Sequence, residues 1–207
     1  MCLVCEERSG CLSRKRVSAI RGIITNLANK LISGKSLILA AFALYLILAI
    51  GQAYTRMPFI DEGWFASPAV NLVRHGFMGT TLIHAPSTYF DWFFPQGVLD
   101  GIQQHTFYQP PLYFIIEAFN FRLFGIGLLQ VRFVSVFWGL VGLVAIYYLA
   151  KEVFNNDRKL VVLSLVLVGT DRFWLDAASL GRMDMMAISL SLVAFALYLN
   201  LRKKNLC

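Results

Sequence analysis

Three stretches of this sequence run for about the length of a bilayer crossing without one charged side chain. Residues 36–55 are 20 such positions, 133–150 are 18 and 185–201 are 17. An α-helix crosses a hydrocarbon core with about 20 mostly apolar residues, or a few fewer where its ends are anchored. A fourth stretch, 160–175, is less clean: its charge-free part ends at Thr170, so Asp171 and Arg172 must lie at the interface. The fold class expected is therefore an all-α membrane protein with four transmembrane helices. Composition points the same way, because 15% of the 207 residues are charged, whereas soluble domains carry roughly a quarter. A soluble enzyme, a disordered chain and a disulfide-stapled secreted domain are all excluded by this apolar content and by the presence of only four cysteines.

The apolar segment between Gln109 and Gln130 contains Glu117 and Arg122 and opens on Pro110-Pro111. Two ionisable groups near the middle of a span are costly, and the charge map argues against a crossing here. Without it, the N-terminal tail, the 151–159 loop and the C-terminal tail share one side and hold 13 of the 19 basic residues. Lys and Arg accumulate on the cytoplasmic side, so both termini are expected there and 109–130 becomes a helix lying in the outer interface. The expected organisation is a basic tail (1–35), a membrane module (36–201) with an outer loop at about 56–130, and a short tail (202–207). The first span acts as a signal anchor, since 35 residues precede it and it is long enough to stay in the membrane.

The outer loop is net acidic and crowded with aromatic residues, among them Trp64, Phe65, Tyr89, Trp92 and Tyr113. Amphipathic rings favour headgroup depth, so the loop is read as juxtamembrane helices lying on the bilayer. Asp61-Glu62 opens one of them. Asp61 suits an N-cap and Glu62 the helix dipole, yet a carboxylate held there beside a second acid also suits a general base toward an acceptor hydroxyl. Gln109 precedes a proline pair that can begin a helix. Between the last two spans, Asp171, Asp176, Arg182 and Asp184 are expensive unless they face water or one another, which brings them toward the Asp61 loop. Arg182 and Asp184 either pair locally, or Arg182 meets an anionic phosphate that Asp184 helps to orient. His75, His84 and His105 have no metal-ligand spacing, and Cys2, Cys5 and Cys11 lack a fourth ligand. No metal ligand or cofactor site is assigned, and a divalent cation stays open.

The order of these features resembles a known family. An Asp-Glu pair after the first span is followed by Pro110-Pro111-Leu112-Tyr113-Phe114, Leu123-Phe124-Gly125, Val131-Arg132-Phe133, Arg158-Lys159 and Gly181-Arg182-Met183-Asp184. Over about residues 36–201 this is similar to the N-terminal part of GT-C membrane glycosyltransferases of the family-39-like group, which includes dolichyl-phosphate-mannose protein mannosyltransferases and aminoarabinose transferases. The resemblance implies a partial GT-C fold and transfer of a sugar from a polyprenyl-phosphate donor to a lipid, glycan or protein acceptor. It implies inversion at the anomeric carbon, with Asp61 matching the family's presumed base and Glu62 its neighbour. It further implies an integral membrane protein with its site on the outer face of the bacterial membrane or in the lumen of the endoplasmic reticulum, the bacterial plasma membrane being the expectation here, in contact with membrane lipids and not with nucleic acid. Where relatives carry a basic residue after the acidic pair and before the prolines, this chain has Trp64 and Gln109. Gln109 is kept as a substrate contact, and Arg182, Arg74 and Arg132 are the cations left to meet the phosphate. Family enzymes have more than four spans, so the chain is expected to be a truncated or split product or a fragment. The alternative is a non-catalytic remnant, or a subunit whose partner chain supplies the missing spans.

Overall fold

A computed structural model describes residues 34–80, 105 and 109–204. Among them the chain is all-helical. The elements are α1 (Gly34–Thr55), α2 (Ile60–His75), α3 (Pro111–Phe124), α4 (Leu128–Val153), α5 (Arg158–Gly169), α6 (Arg172–Ser179) and α7 (Asp184–Lys204). The cysteines, His84 and most of the aromatic outer loop fall outside the described residues.

Three helices are long and apolar enough to cross a bilayer: Lys35–Thr55, Leu128–Val153 and Asp184–Arg202. The fourth expected span takes a different form. Helix α5 has 12 residues, about 18 Å at 1.5 Å each, and stops at Thr170. Asp171 then starts α6, its carboxylate accepting the Trp174 N–H at 3.0 Å. The polar Thr170-Asp171-Arg172 step thus breaks what had been read as one helix into two. The segment still runs from one end of the bundle to the other. Arg158 shares a cavity with Lys35 and Lys151, while Asp176 on α6 meets Arg56, just past the far end of α1, at 2.9 Å.

The second change concerns α4, expected from Phe133. It begins at Leu128, so Arg132 lies inside its second turn. Gly125 makes the break from α3 with φ +86°, a backbone region that residues with a Cβ seldom enter. The Asn120 side-chain N–H donates to the Gln130 carbonyl at 2.8 Å and closes the corner.

Helix α4 touches each of the other six described helices. Against it α1 presents Ala41, Tyr45, Ala49 and Ala53, one residue per turn and all buried. Small residues let helix backbones approach where no water-driven force pulls them together. Tyr45 donates its hydroxyl to the Val136 carbonyl at 2.9 Å, and Ser189 of α7 donates to the Trp138 carbonyl at 2.6 Å. Outward, Leu39, Ile47, Phe137, Phe195 and Leu197 stand exposed, as a lipid-facing surface requires. Helix α3 follows the same rule in 14 residues, exposing Leu112, Ile115, Phe119 and Leu123 while burying Tyr113 and Glu117.

A Cβ on Gly139 would fall onto the Tyr45 hydroxyl and against Ala178, whereas Gly51 faces open space. Gly139→Ala is expected to cost about 1–3 kcal/mol by overpacking. Gly51→Ala should be neutral or stabilise by about 0.5–1 kcal/mol. Thermal unfolding of the two variants in one detergent checks this, and equal melting temperatures would contradict it.

Candidate functional site

The charged residues at the end of the bundle where α1 finishes divide into a closed group and an open one. Arg132 and Glu62 form the closed group, with side chains 1% and 2% exposed. Arg132 donates from Nε to Glu62 Oε1 at 2.7 Å and from Nη2 to Oε2 at 2.8 Å. Its remaining N–H groups reach the carbonyls of Ala53 (2.7 Å), Arg56 (2.9 Å) and Met57 (3.1 Å). All five guanidinium donors are thereby used, three of them on carbonyls where α1 ends and the chain turns to α2.

Glu62 is equally saturated. Its Oε1 also accepts the Gly181 N–H at 3.2 Å, and its Oε2 accepts the Phe59 N–H at 2.9 Å. The N-cap of α2 is therefore Phe59 and not Asp61, with Glu62 at N3 folding back on the cap N–H. Burial pushes the Glu62 carboxyl up, but the Arg132 hydrogen bonds, the two backbone N–H groups and the Arg132 charge outweigh it and hold the group below its ordinary value.

The open group is Asp61, Arg182 and Asp184. Asp61 is 44% exposed and Asp184 46%, and between them Arg182 is 34% exposed. Arg182 lies 3.7 Å from Asp61 Oδ2 through Nη1 and 3.0 Å from Asp184 Oδ2 through Nε. Its guanidinium stands over the Phe65 ring, 5.8 Å from the centroid, a cation–π contact. Ser135, one turn beyond Arg132, accepts the Arg182 N–H at 3.3 Å and donates to its carbonyl at 3.1 Å. A Cβ at Gly181 would strike Val131 Cγ1, so the Val131-Arg132 and Gly181-Arg182 motifs meet in space. Arg56 and Asp176 pair alongside, with Ser179 bridging from Arg56 to Gln52.

Asp61, Glu62, Arg182 and Asp184 are thus brought together. Arg74 is not: it sits in the last turn of α2, 13 residues and about 20 Å along the helix from Asp61. Arg132, a candidate for the phosphate, has no donor left to offer one. Asp171 caps α6 and takes no part. Gln109 is buried ahead of α3, and its Oε1 meets no hydrogen-bond partner among the described residues; the buried Glu117 carboxyl, eight residues on, shares this state, and Tyr113 is buried between them in sequence. Burial first, then the charges of Glu117, Glu62 and Asp184, raise the Tyr113 hydroxyl, so this end of α3 borders the acidic group. Burial alone pushes the Glu117 carboxyl well above its ordinary value of 4.5. His75 stacks on Phe77 and His105 is exposed. Among the described residues no group of three or more His, Cys, Asp or Glu could hold a metal ion.

Sequence reasoning missed Ser135, Gly181 and the structural part played by Arg132. A signal was present for the last. An arginine at the head of an apolar run must find an acid, and Glu62 is such an acid.

The family model described as dolichyl-phosphate-mannose-protein mannosyltransferase matches residues 108–206. Over that stretch the chain is similar to the GT-C-type mannosyltransferases that this family model describes. The match takes in the proline pair, Arg132, Ser135 and Gly181 to Asp184, and leaves Asp61 and Glu62 outside it. No curated protein and no solved structure matches the chain. The family indicates a membrane glycosyltransferase with a lipid-linked sugar donor and an acceptor, in keeping with three apolar helices.

Two predictions arise from this geometry. Arg132→Ala strands the buried Glu62 carboxylate and is expected to cost about 3–5 kcal/mol. Arg132→Lys should recover only part of this, because an ammonium cannot fork onto five acceptors; full recovery in thermal unfolding would contradict the fork. The Glu117 carboxyl holds its proton more tightly in the folded chain than in the unfolded one. Its contribution to stability is therefore full below about pH 4.5 and lost as the pH rises toward the elevated folded value. Glu117→Gln should melt above the parent at pH 8, with the gap closing toward pH 4.5, and a pH-independent gap would count against a neutral buried acid.

Proposed function

We propose that this chain works as the N-terminal part of a polyprenyl-phosphate-sugar glycosyltransferase, with Asp61 as general base. The observation that carries the reading is the contrast within one dipeptide. Glu62 has every acceptor position occupied and is buried, while Asp61 is open and ion-paired only loosely, at 3.7 Å. Glu62 acts as a positioning residue, holding the start of α2, and so Asp61, against α4 and the Gly181 loop.

In the proposed step the acceptor oxygen attacks the anomeric carbon from the face opposite the phosphate, so configuration inverts. Its proton passes to Asp61. The bond from the anomeric carbon to the phosphate oxygen breaks, and the electron pair leaves with the polyprenyl phosphate. Arg182 offers a guanidinium to the charge that develops there, oriented by Asp184, Phe65 and the Ser135 grip on its backbone. With α5 and α6 crossing together as a broken helix, both termini lie in the cytoplasm and the cluster faces outward at headgroup depth, where a lipid-borne sugar arrives.

Membranes bearing the chain, supplied with radiolabelled polyprenyl-phosphate sugars, test this. Carrier-dependent transfer is expected, falling by about 10²–10⁴-fold in Asp61→Asn with insertion unchanged. Undiminished transfer by that variant would remove Asp61 as base. No transfer by properly inserted chain, over a panel of sugars, would reject a self-sufficient enzyme in favour of a remnant or a subunit.

A further inference from the structure

At the end of the bundle opposite Asp61, three helices close around a cavity of about 300 Å³. Lys35 reaches it from the first turn of α1, Lys151 from the last turn of α4 and Arg158 from the first residue of α5, and Asn156 also lines it. Its other walls are the Tyr147 ring and the aliphatic Ile38 and Val161. The Lys151 ammonium lies 5.3 Å from the centre of the Tyr147 ring, which holds it at the wall.

A general excess of basic residues on one membrane face accounts for the sign of these charges. It does not account for their convergence. Lys35 is more than a hundred residues from Lys151 in sequence, and the fold brings the two to one hollow with Arg158. Among the described residues no carboxylate lines it. Asp157, between Asn156 and Arg158 in sequence, turns onto the Lys159 N–H at 2.9 Å as the cap of α5. None of the three cations makes an ion pair among the described residues, and Glu152 is not part of the wall. Three like charges in one cavity repel at short range.

We propose that this cavity is a phosphate-binding site, filled by the headgroup phosphate of an anionic lipid in the adjoining leaflet. The lysines and Arg158 take the phosphate oxygens, the Asn156 amide donates beside them, and Ile38 and Val161 receive the apolar side of the headgroup. The site is distinct from the sugar-transfer cluster and does not depend on it.

Nanodiscs of phosphatidylcholine, with and without phosphatidylglycerol, test the proposal by thermal unfolding of the whole chain, with inorganic phosphate as the soluble arm. Phosphatidylglycerol is expected to stabilise the parent. Lys151→Gln/Arg158→Gln should weaken that binding by about thirtyfold, and Arg202→Gln, a cation not on the wall, should leave it unchanged. In phosphatidylcholine alone the double variant should be at least as stable as the parent, since repulsion has been relieved. Stabilisation by millimolar inorganic phosphate that the double variant loses would assign the same site to a free anion. Equal phosphatidylglycerol response in parent and double variant would overturn the proposal as diffuse surface attraction. Native mass spectrometry of the parent supplies a readout independent of the variants: phosphatidylglycerol retained no better than phosphatidylcholine would overturn it as well.

Discussion

The Arg132–Glu62 pair joins four parts of the chain at one buried point. Arg132 belongs to α4, Glu62 to α2, three of the arginine's acceptors to the end of α1 and the turn after it, and the Gly181 N–H to the loop before α7. Two opposite charges removed from water recover their desolvation cost only when the geometry is good and every remaining donor and acceptor is matched. Here five donors and four acceptor positions are all matched. The meeting of these helix ends leaves both ions satisfied, and separating any of them would strand a buried donor or acceptor.

From that point the rest of the outer end follows. One turn along α4, Ser135 grips the backbone of Arg182, and Val131 packs where Gly181 has no side chain. The Arg182 guanidinium is thereby presented between Asp61 and Asp184, with Phe65 beneath it. The division of labour is physical. Saturated, buried groups hold the frame, while Asp61, Arg182 and Asp184 stay partly exposed beside it. Below, packing is maintained by small residues on α1 and α4 and by hydroxyl bonds to helix carbonyls, as suits a bundle whose outer surface is as apolar as lipid. The opposite end has no such saturation, and its cations face a cavity.

Much of this architecture was legible in the residues. Charge-free runs marked α1, α4 and α7 because a helix that meets hydrocarbon on most sides cannot carry a charge outward. Pro110-Pro111 marked the start of α3 because proline fits where an N–H has no intrahelical partner. The order of motifs pointed to the family that residues 108–206 match. The breaks were less legible. The α5–α6 boundary turns on three polar residues within an apolar stretch, which a window average absorbs, and the early start of α4 was hidden because Arg132 looked like an interfacial flank.

The sequence by itself determined the class of molecule, the apolar helices and the residue types that could do chemistry at the outer end, because hydrophobic length and charge placement are local properties of the chain. Only the tertiary structure decided which of those residues are free. Asp61 and Glu62 are adjacent and chemically alike, and no local pattern separates them. What does is a guanidinium 70 positions away and a backbone N–H 119 positions away, both of which come to Glu62 and leave Asp61 open. Saturation is a property of where partners arrive, and that is settled by the packing of helix ends.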